Sequence, residues 1–351
     1  MKQNFSVLDG MRGIAAIFVL ILHTGSYWRN VDFYHSYLAV DLFFVLSGFV
    51  IAHAYENKLA NHSLNVKKFI LTRLIRLYPM YFLSIVLVVI LLIMNYPAKF
   101  NPQTNISNLM TSIGLTVLFL PSVLPANIYL FPLNTPYWSV FYELIINFLY
   151  AIARPVLKNN MLYIILPILA LLLMVMAYLH GGVGAGVTWR YTSIASALTR
   201  SGFGILYGVL LYRVGNQYFS GLILPAWALI VVIAAVLMVP NLGFFNGLFD
   251  LFALFFVFPA CVILGTRCKV NAVSNPLSFK IFTILGSASY PMYLMHMPIS
   301  GIGYYFYGDA VEKYAPLSGG VLLILLITFV LIIEKYIDIP IRKYLVSKYV
   351  K

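Results

Sequence analysis

The sequence predicts an all-α, polytopic membrane protein of about ten transmembrane helices, with one further short re-entrant or interfacial segment. Three observations predict it. The 351 residues are 62% hydrophobic and 9% charged, where a soluble domain carries nearer 25% charged residues. Apolar runs long enough to cross a bilayer recur from end to end. Basic residues gather at alternate connections between those runs. No long polar stretch is set aside for a soluble unit, so residues 1–351 read as a single membrane domain. The net charge of +13 follows from the clustering at one set of loops, and no nucleic-acid partner is expected. Cys261 and Cys268 have no ligand partners at useful spacing, so neither a metal nor a disulfide is expected. The first run lacks a small-residue cleavage pattern and reads as a retained helix.

The apolar runs are 12–28, 37–54, 77–95, 108–124, 138–154, 161–179, 194–213, 222–239, 247–265, 281–306 and 318–337. Charge decides which of them cross. Lys58, Lys67, Lys68, Arg73 and Arg76 place the connection after the second run in the cytoplasm, and the N-terminus with it. If 108–124 crossed, Arg154 and Lys158 would fall outside and every later basic cluster would be inverted. If it does not cross, Arg154 and Lys158, Arg213, the group Arg267, Lys269 and Lys280, and the tail Arg342, Lys343, Lys348 and Lys351 are all cytoplasmic. Only Arg29, Lys99, Arg190, Arg200 and Lys313 then lie elsewhere. This arrangement has ten spans and both termini inside. The run 108–124, flanked by Asn101, Pro102, Asn105, Pro121 and Pro125, becomes the re-entrant or surface-lying piece on the outer side. Stretch 96–137 is the natural place to meet an external substrate. Gly181, Gly182, Gly184 and Gly186 read as a flexible outer loop running to Arg190, without a phosphate-loop pattern.

The polar residues inside the spans carry the functional question. Arg12 and His23 in the first run are eleven residues apart. They share nearly one helical face, with roughly 16 Å between them along the axis. An ionisable group in hydrocarbon costs several kcal/mol unless it is paired, hydrated or used. Arg12 can snorkel to the cytoplasmic boundary. His23 reads either as a base or acid that titrates near neutrality, or as a histidine bonded to a neighbouring helix. Asp41, near the outer start of the second span, either orients the His23 imidazole or caps its own helix. Ser47-Gly48 reads as close helix packing. Arg73 and Arg76 share a face at the membrane edge and suit phosphate, whether on a ligand or on lipid headgroups. Trp138 suits an interfacial anchor, whereas Glu143 stands several residues into its span. The ninth span carries Ser287, Ser289, Tyr290, Pro291 and Tyr293 before His296. Pro291 frees backbone carbonyls that the serines or a ligand must satisfy. Arg200 enters the seventh-run helix near its outer end, where it can face an acid or a sugar.

Taken together, several stretches resemble the integral-membrane acyltransferase family 3. They are Leu8-Asp9-Gly10-Met11-Arg12-Gly13 with ten residues between Arg12 and His23, Gly48 within Val40–Phe49, Arg73-x-x-Arg76, Trp138-Ser139 leading to Glu143, and Tyr290-Pro291-Met292-Tyr293-Leu294-Met295-His296. The resemblance covers nearly the whole chain. It implies a bacterial inner-membrane enzyme that O-acylates an extracytoplasmic saccharide, such as lipopolysaccharide O-antigen, exopolysaccharide or peptidoglycan. The acyl group would come from cytoplasmic acetyl-CoA, with no metal. It implies His23 as the catalytic histidine with Arg12 as its basic partner, Arg73 and Arg76 as the donor-binding pair, and Glu143 as a further functional carboxylate. Many relatives add an extracytoplasmic SGNH-type domain. The chain reads as a membrane domain without one, which would finish the transfer itself or hand the acyl group to a separate partner.

On this reading the donor nucleotide rests on Arg73, Arg76 and Lys67 or Lys68. The pantetheine arm passes Arg12, and the thioester meets the sugar hydroxyl at His23. Asp41 or Glu143 orients the imidazole. Trp138, Arg200, His296 and Tyr290 are the candidate saccharide contacts. Direct transfer and an acyl-histidine intermediate are both open. Besides the acyl-CoA and the saccharide or glycolipid acceptor, membrane lipids are the expected partners. The competing class is a polysaccharide or glycolipid transporter or flippase, with His23 and Glu143 lining its path.

Overall fold

The computed structural model describes residues 5–31, 33–95, 106–122, 128–215, 224–268, 270–271 and 273–350. Of the residues weighed above, Lys99, Asn101, Pro102, Asn105, Pro125, Lys269 and Lys351 lie outside that set.

The chain is helical from end to end, and the one strand-like pairing among the described residues is a single bridge between Tyr129 and Thr188. Helices α1 (Ser6–His23), α2 (Ala39–Ala60) and α3 (Val66–Asn95) open the bundle. After α4 (Ile106–Val117) come α5 (Tyr137–Ala153), α6 (Asn159–His180), α7 (Tyr191–Val214) and α8 (Ala226–Leu237). Next, α9 (Asn246–Phe252) and α10 (Phe258–Arg267) are joined by a π-helical turn, as are α12 (Leu317–Ile333) and α13 (Ile339–Tyr349). Between those two joined helices runs α11 (Pro276–Lys313).

Among the described residues, seven helical segments are long and apolar enough to cross a membrane by length and composition, and α4, α5 and α8 are shorter apolar helices. The outward faces of the long helices are apolar too. Ile164, Leu171 and Tyr178 on α6, and Ile324 and Leu325 on α12, are exposed. A soluble bundle would show charge on such faces, so these face lipid.

Two helix pairs form the centre: α1 lies along α11, and α2 along α7. Glycine sets both approaches. A Cβ on Gly48 would stand 1.9 Å from the Ile205 carbonyl oxygen, and one on Gly208 would stand 2.1 Å from that of Val45. Gly48 is thus a close-packing position, as expected, whereas its neighbour Ser47 turns to the Glu143 carboxylate. A Cβ on Gly13 would meet Leu285 at 2.3 Å.

Two elements depart from the sequence reading, and a third bears it out. The helix expected to begin at Tyr78-Pro79 begins at Val66, because the Asn65 side chain accepts the Lys68 N–H at 2.8 Å and caps it. Arg73 and Arg76 therefore stand inside a continuous helix that also contains Pro79. As expected of the run 108–124, α4 does not span: it has 12 residues, a rise of about 18 Å, too little for a hydrocarbon core of about 30 Å. Its end is anchored deep, where Tyr81 and Tyr78 of α3 donate to the Thr116 and Val117 carbonyls and Phe119 stacks on Tyr81. Tyr81 lies about 21 Å along α3 from Asn95, so the segment enters and returns.

The second departure is the glycine-rich stretch after α6, which is tied down rather than loose. Val183 N–H donates to Asp250 (2.8 Å), Ala185 C=O accepts from Arg200 (2.7 Å), and Gly186 N–H donates to Ser193 (3.0 Å). Asp250 also accepts from the Tyr37 hydroxyl at 2.6 Å and faces His35 at 3.6 Å.

The described ends of the chain share one end of the bundle: Ser6 donates to the Val270 carbonyl, and Arg342 shares a cavity with Arg76 and Asp9. Most of the basic residues gather there. His23 marks the opposite end. Cys261 and Cys268 are free thiols. Burial pushes the Cys268 thiol up, and it donates to the Leu224 and Leu264 carbonyls.

Candidate active site

A cavity of about 1320 Å³, its open mouth included, penetrates the bundle from the basic end. Helix α1 supplies Asp9 and Arg12, α3 supplies Arg73 and Arg76, and α5 supplies Ser139 and Glu143. From α11 come Ser287, Ser289, Tyr290 and Tyr293, and from the last π turn and α13 come Glu334, Asp338 and Arg342. Most of these groups answer one another. Arg73 donates to Glu143 at 2.8 Å, and Ser47 donates to the same oxygen at 2.5 Å. Arg342 bonds Asp338 at 2.7 Å and lies 3.9 Å from Glu334. Arg12 and Arg76 are different: among the described residues neither makes a hydrogen bond or an ion pair. Two guanidinium groups thus line one cavity with no direct bond to a protein group, although the Asp9 carboxylate stands near enough to attract both.

At its deep end the cavity reaches Val40, Phe43, Ser139 and Tyr293. The Phe43 and Tyr293 rings meet edge to face at 5.7 Å, and the Tyr293 hydroxyl is bonded to Ser139 at 2.6 Å. Beyond this wall stands a pair of histidines. The His23 and His296 rings are 5.1 Å apart, and His296 is 6.2 Å from Tyr293. His23, the last residue of α1, is exposed, whereas His296 is fully buried.

Both histidines are held in one tautomer. His23 Nδ1 lies 2.9 Å from the Val19 carbonyl, and His296 Nδ1 lies 3.2 Å from that of Met292. A carbonyl only accepts, so each Nδ1 carries the proton and each Nε2 presents a lone pair. His296 Nε2 is buried and has no partner.

These contacts correct the expected orienting carboxylates. Asp41 does not reach His23: it accepts two bonds from Arg200, from Nε at 2.9 Å and Nη2 at 2.6 Å, and both side chains are buried. Glu143 is held by Arg73 and Ser47. The backbone of α1 itself orients His23, through the carbonyl four residues earlier on the same helix.

Several expected saccharide contacts are also enclosed. Arg200 spends its guanidinium on Asp41 and Ala185, with the Trp138 ring 5.2 Å away. Trp138 is buried, packed edge to face on Phe44 and Tyr142. Tyr290 lines the cavity at the basic end and donates to the Leu77 carbonyl, far from the histidine pair. His296 alone of the four stands beside His23. Lys68 is exposed on the first turn of α3 and does not line the cavity.

Sequence reasoning missed Asp9, Glu334, Asp338 and Arg342 as cavity residues. Glu334, Asp338 and Arg342 recur at a spacing of four on one helix face, a signal that was legible but was absorbed into the count of tail charges.

The acyltransferase domain family matches residues 5–333. The chain is 38% identical over 186 residues to Protein 2 in picA locus from Rhizobium radiobacter, across 50% of this chain and 95% of that relative. It is 36% identical over 97 residues to the peptidoglycan O-acetyltransferase OatA of Listeria monocytogenes, across 27% of this chain and 14% of that longer relative. No solved structure matches the chain. With a cavity at one end, a histidine pair at the other and the family matching nearly the whole length between, this chain belongs to the acyltransferase domain family and is a multi-pass membrane acyltransferase.

Proposed function

We propose that the protein transfers an acetyl group from cytoplasmic acetyl-CoA to a hydroxyl of an extracytoplasmic or lipid-linked saccharide. It would act in a bacterial inner membrane, with the basic end and both chain termini in the cytoplasm. The observation that carries this reading is the pair of unpaired guanidinium groups, Arg12 and Arg76, facing a cavity, with an exposed histidine at the far end of the helix that bears Arg12. The charge bias of the connections supports the orientation. The name of the Listeria relative supports a glycan acceptor.

The cavity fits the donor. Coenzyme A is polyanionic, and its pantetheine arm is about 15 Å long, roughly half the hydrocarbon thickness. Arg12 and Arg76 supply guanidinium groups that no protein group bonds directly, which leaves their N–H donors for phosphate. The cavity extends along α2 from Ile51 to Val40, about 16 Å at helical rise. Phe43 and Tyr293 separate its deep end from the histidine pair, so transfer requires one of these rings to turn aside.

There, His23 Nε2 accepts the proton of the sugar hydroxyl as the oxygen attacks the thioester carbonyl. The new C–O bond forms, the C–S bond breaks, and the proton leaves with the coenzyme A sulfur. His296 Nε2 accepts a hydrogen bond from the sugar and helps fix its position. The thioester is a good enough leaving group that no metal is invoked.

The test is release of free coenzyme A thiol from acetyl-CoA by the purified chain with an envelope glycan extract. We expect glycan-dependent release that falls by two orders of magnitude or more, roughly, in His23→Ala. Equal release by the wild type and His23→Ala would overturn the role of His23. No release by folded wild-type protein would overturn the acetyl-CoA reading.

A further inference from the structure

A second cavity adjoins the first. It is an open groove of about 1000 Å³ between the start of α3 and α13. Its lining combines aliphatic side chains, Ile75, Ile339 and Val346, with three cations, Arg76, Arg342 and Lys343. Arg76 and Arg342 also line the deep cavity, so the two spaces share a wall. Lys343 belongs to the groove alone. Among the described residues it makes no hydrogen bond or ion pair, and it is exposed. It also lies past residue 333, where the family match ends.

Length connects the two spaces. The deep cavity extends about 16 Å along α2, enough for the pantetheine arm. An adenosine carrying three phosphates therefore has to sit at the mouth, on the far side of Arg76 and Arg342. The groove offers what that group needs. Aliphatic side chains suit the face of a purine, and Arg76 and Lys343 are cations whose N–H donors, among the described residues, no protein group takes up. Arg342 is already held by Asp338, so it serves as the neck between the two spaces.

We propose that this groove is the nucleotide site of the acyl donor, with Lys343 receiving the 3′-phosphate and Arg76 the diphosphate. The inference rests on acyl-CoA as donor and deepens it by naming where the nucleotide lies. A 3′-phosphate monoester carries nearly two negative charges, and no protein group competes for Lys343. Recognition on this route depends on α13, an element beyond the family match.

The test compares equilibrium binding of coenzyme A and 3′-dephospho-coenzyme A to the purified full-length chain in a nonionic detergent. For the wild type, removal of the 3′-phosphate is expected to weaken binding about tenfold, the worth of one charge-assisted contact. In Lys343→Ala the two ligands should bind within about twofold of each other, with the loss falling on coenzyme A. Lys348→Ala, on the same helix but outside the groove, should keep the wild-type ratio. A wild-type ratio that persists in Lys343→Ala overturns the proposal. So does a Lys343→Ala effect that is equal for both ligands and appears only in nanodiscs containing phosphatidylglycerol, which would assign the groove to a lipid phosphate. If folded wild-type protein binds neither ligand, the donor reading itself fails and the groove assignment with it.

Discussion

The arginines of this protein divide into those that hold the fold and those that await a ligand, and burial with pairing is what divides them. Arg200 and Asp41 are both buried and joined by two hydrogen bonds. Breaking such a pair leaves an uncompensated buried charge. Arg200→Ala is expected to cost about 3–5 kcal/mol of stability, read as a lowered unfolding temperature in detergent. Removing Asp41 as well should recover part of that loss. Arg12 and Arg76 have no hydrogen bond or salt bridge to lose among the described residues. Arg12→Ala and Arg76→Ala should each weaken coenzyme A binding roughly tenfold while leaving the unfolding temperature near that of the wild type. A stability loss as large as that of Arg200→Ala would mean that they are structural. The sequence marked Arg12 and His23 because polar groups in apolar runs stand out, and Arg73 and Arg76 because they share a face at a membrane edge. It did not reveal that Asp41 belongs to Arg200, 159 residues away, because pairing across helices leaves no local signal. The expectation that a carboxylate orients His23 failed for the same reason, and the nearer Val19 carbonyl does that work.

At the scale of elements, glycine and proline decide how the helices meet. The approach of α2 to α7 depends on Gly48 and Gly208. Gly48→Ala would press a methyl group into the Ile205 carbonyl and force the helices apart, so the variant should lose folded yield and unfold at lower temperature. Tyr37→Phe, which only removes one hydroxyl from Asp250, should do far less. In α11, Pro298 cannot donate to the Leu294 carbonyl four residues earlier. The Asn134 amide donates to it instead, at 2.9 Å. Asn134→Ala leaves that buried carbonyl unsatisfied and should cost about 1–3 kcal/mol, seen as a lower unfolding temperature. A full-strength wild-type value would show that another donor reaches it. The sequence identified Pro291 as the break in this helix but gave no means of finding the donor on a distant loop. The apolar runs, by contrast, were legible because bilayer thickness fixes their length. The start of α3 was not, because a basic, amphipathic first turn looks like a loop to hydropathy alone.

For the whole molecule, the bias of basic residues and the geometry tell one story: charged and cavity-lining groups gather at one end, and an exposed histidine stands at the other. The proposed orientation has a direct test in a background where Cys261 and Cys268 are replaced. Ser347→Cys should react with an impermeant thiol reagent only from the cytoplasmic side, and Phe244→Cys only from the opposite side. The reverse pattern would invert the proposed path of the donor. The return of the segment after α4 into the bundle was readable as a failure to span, since crossing would have inverted every later cluster. Its depth was not, because it depends on Tyr78 and Tyr81 of another helix. One measurement bears most directly on the central claim: transfer of radiolabelled acetyl from acetyl-CoA to an envelope glycan by the purified chain, beside His23→Ala of equal fold. The account predicts label in the glycan with the wild type and background label with the variant. Label reaching the glycan equally in both, or none reaching it from folded wild-type protein, would contradict it.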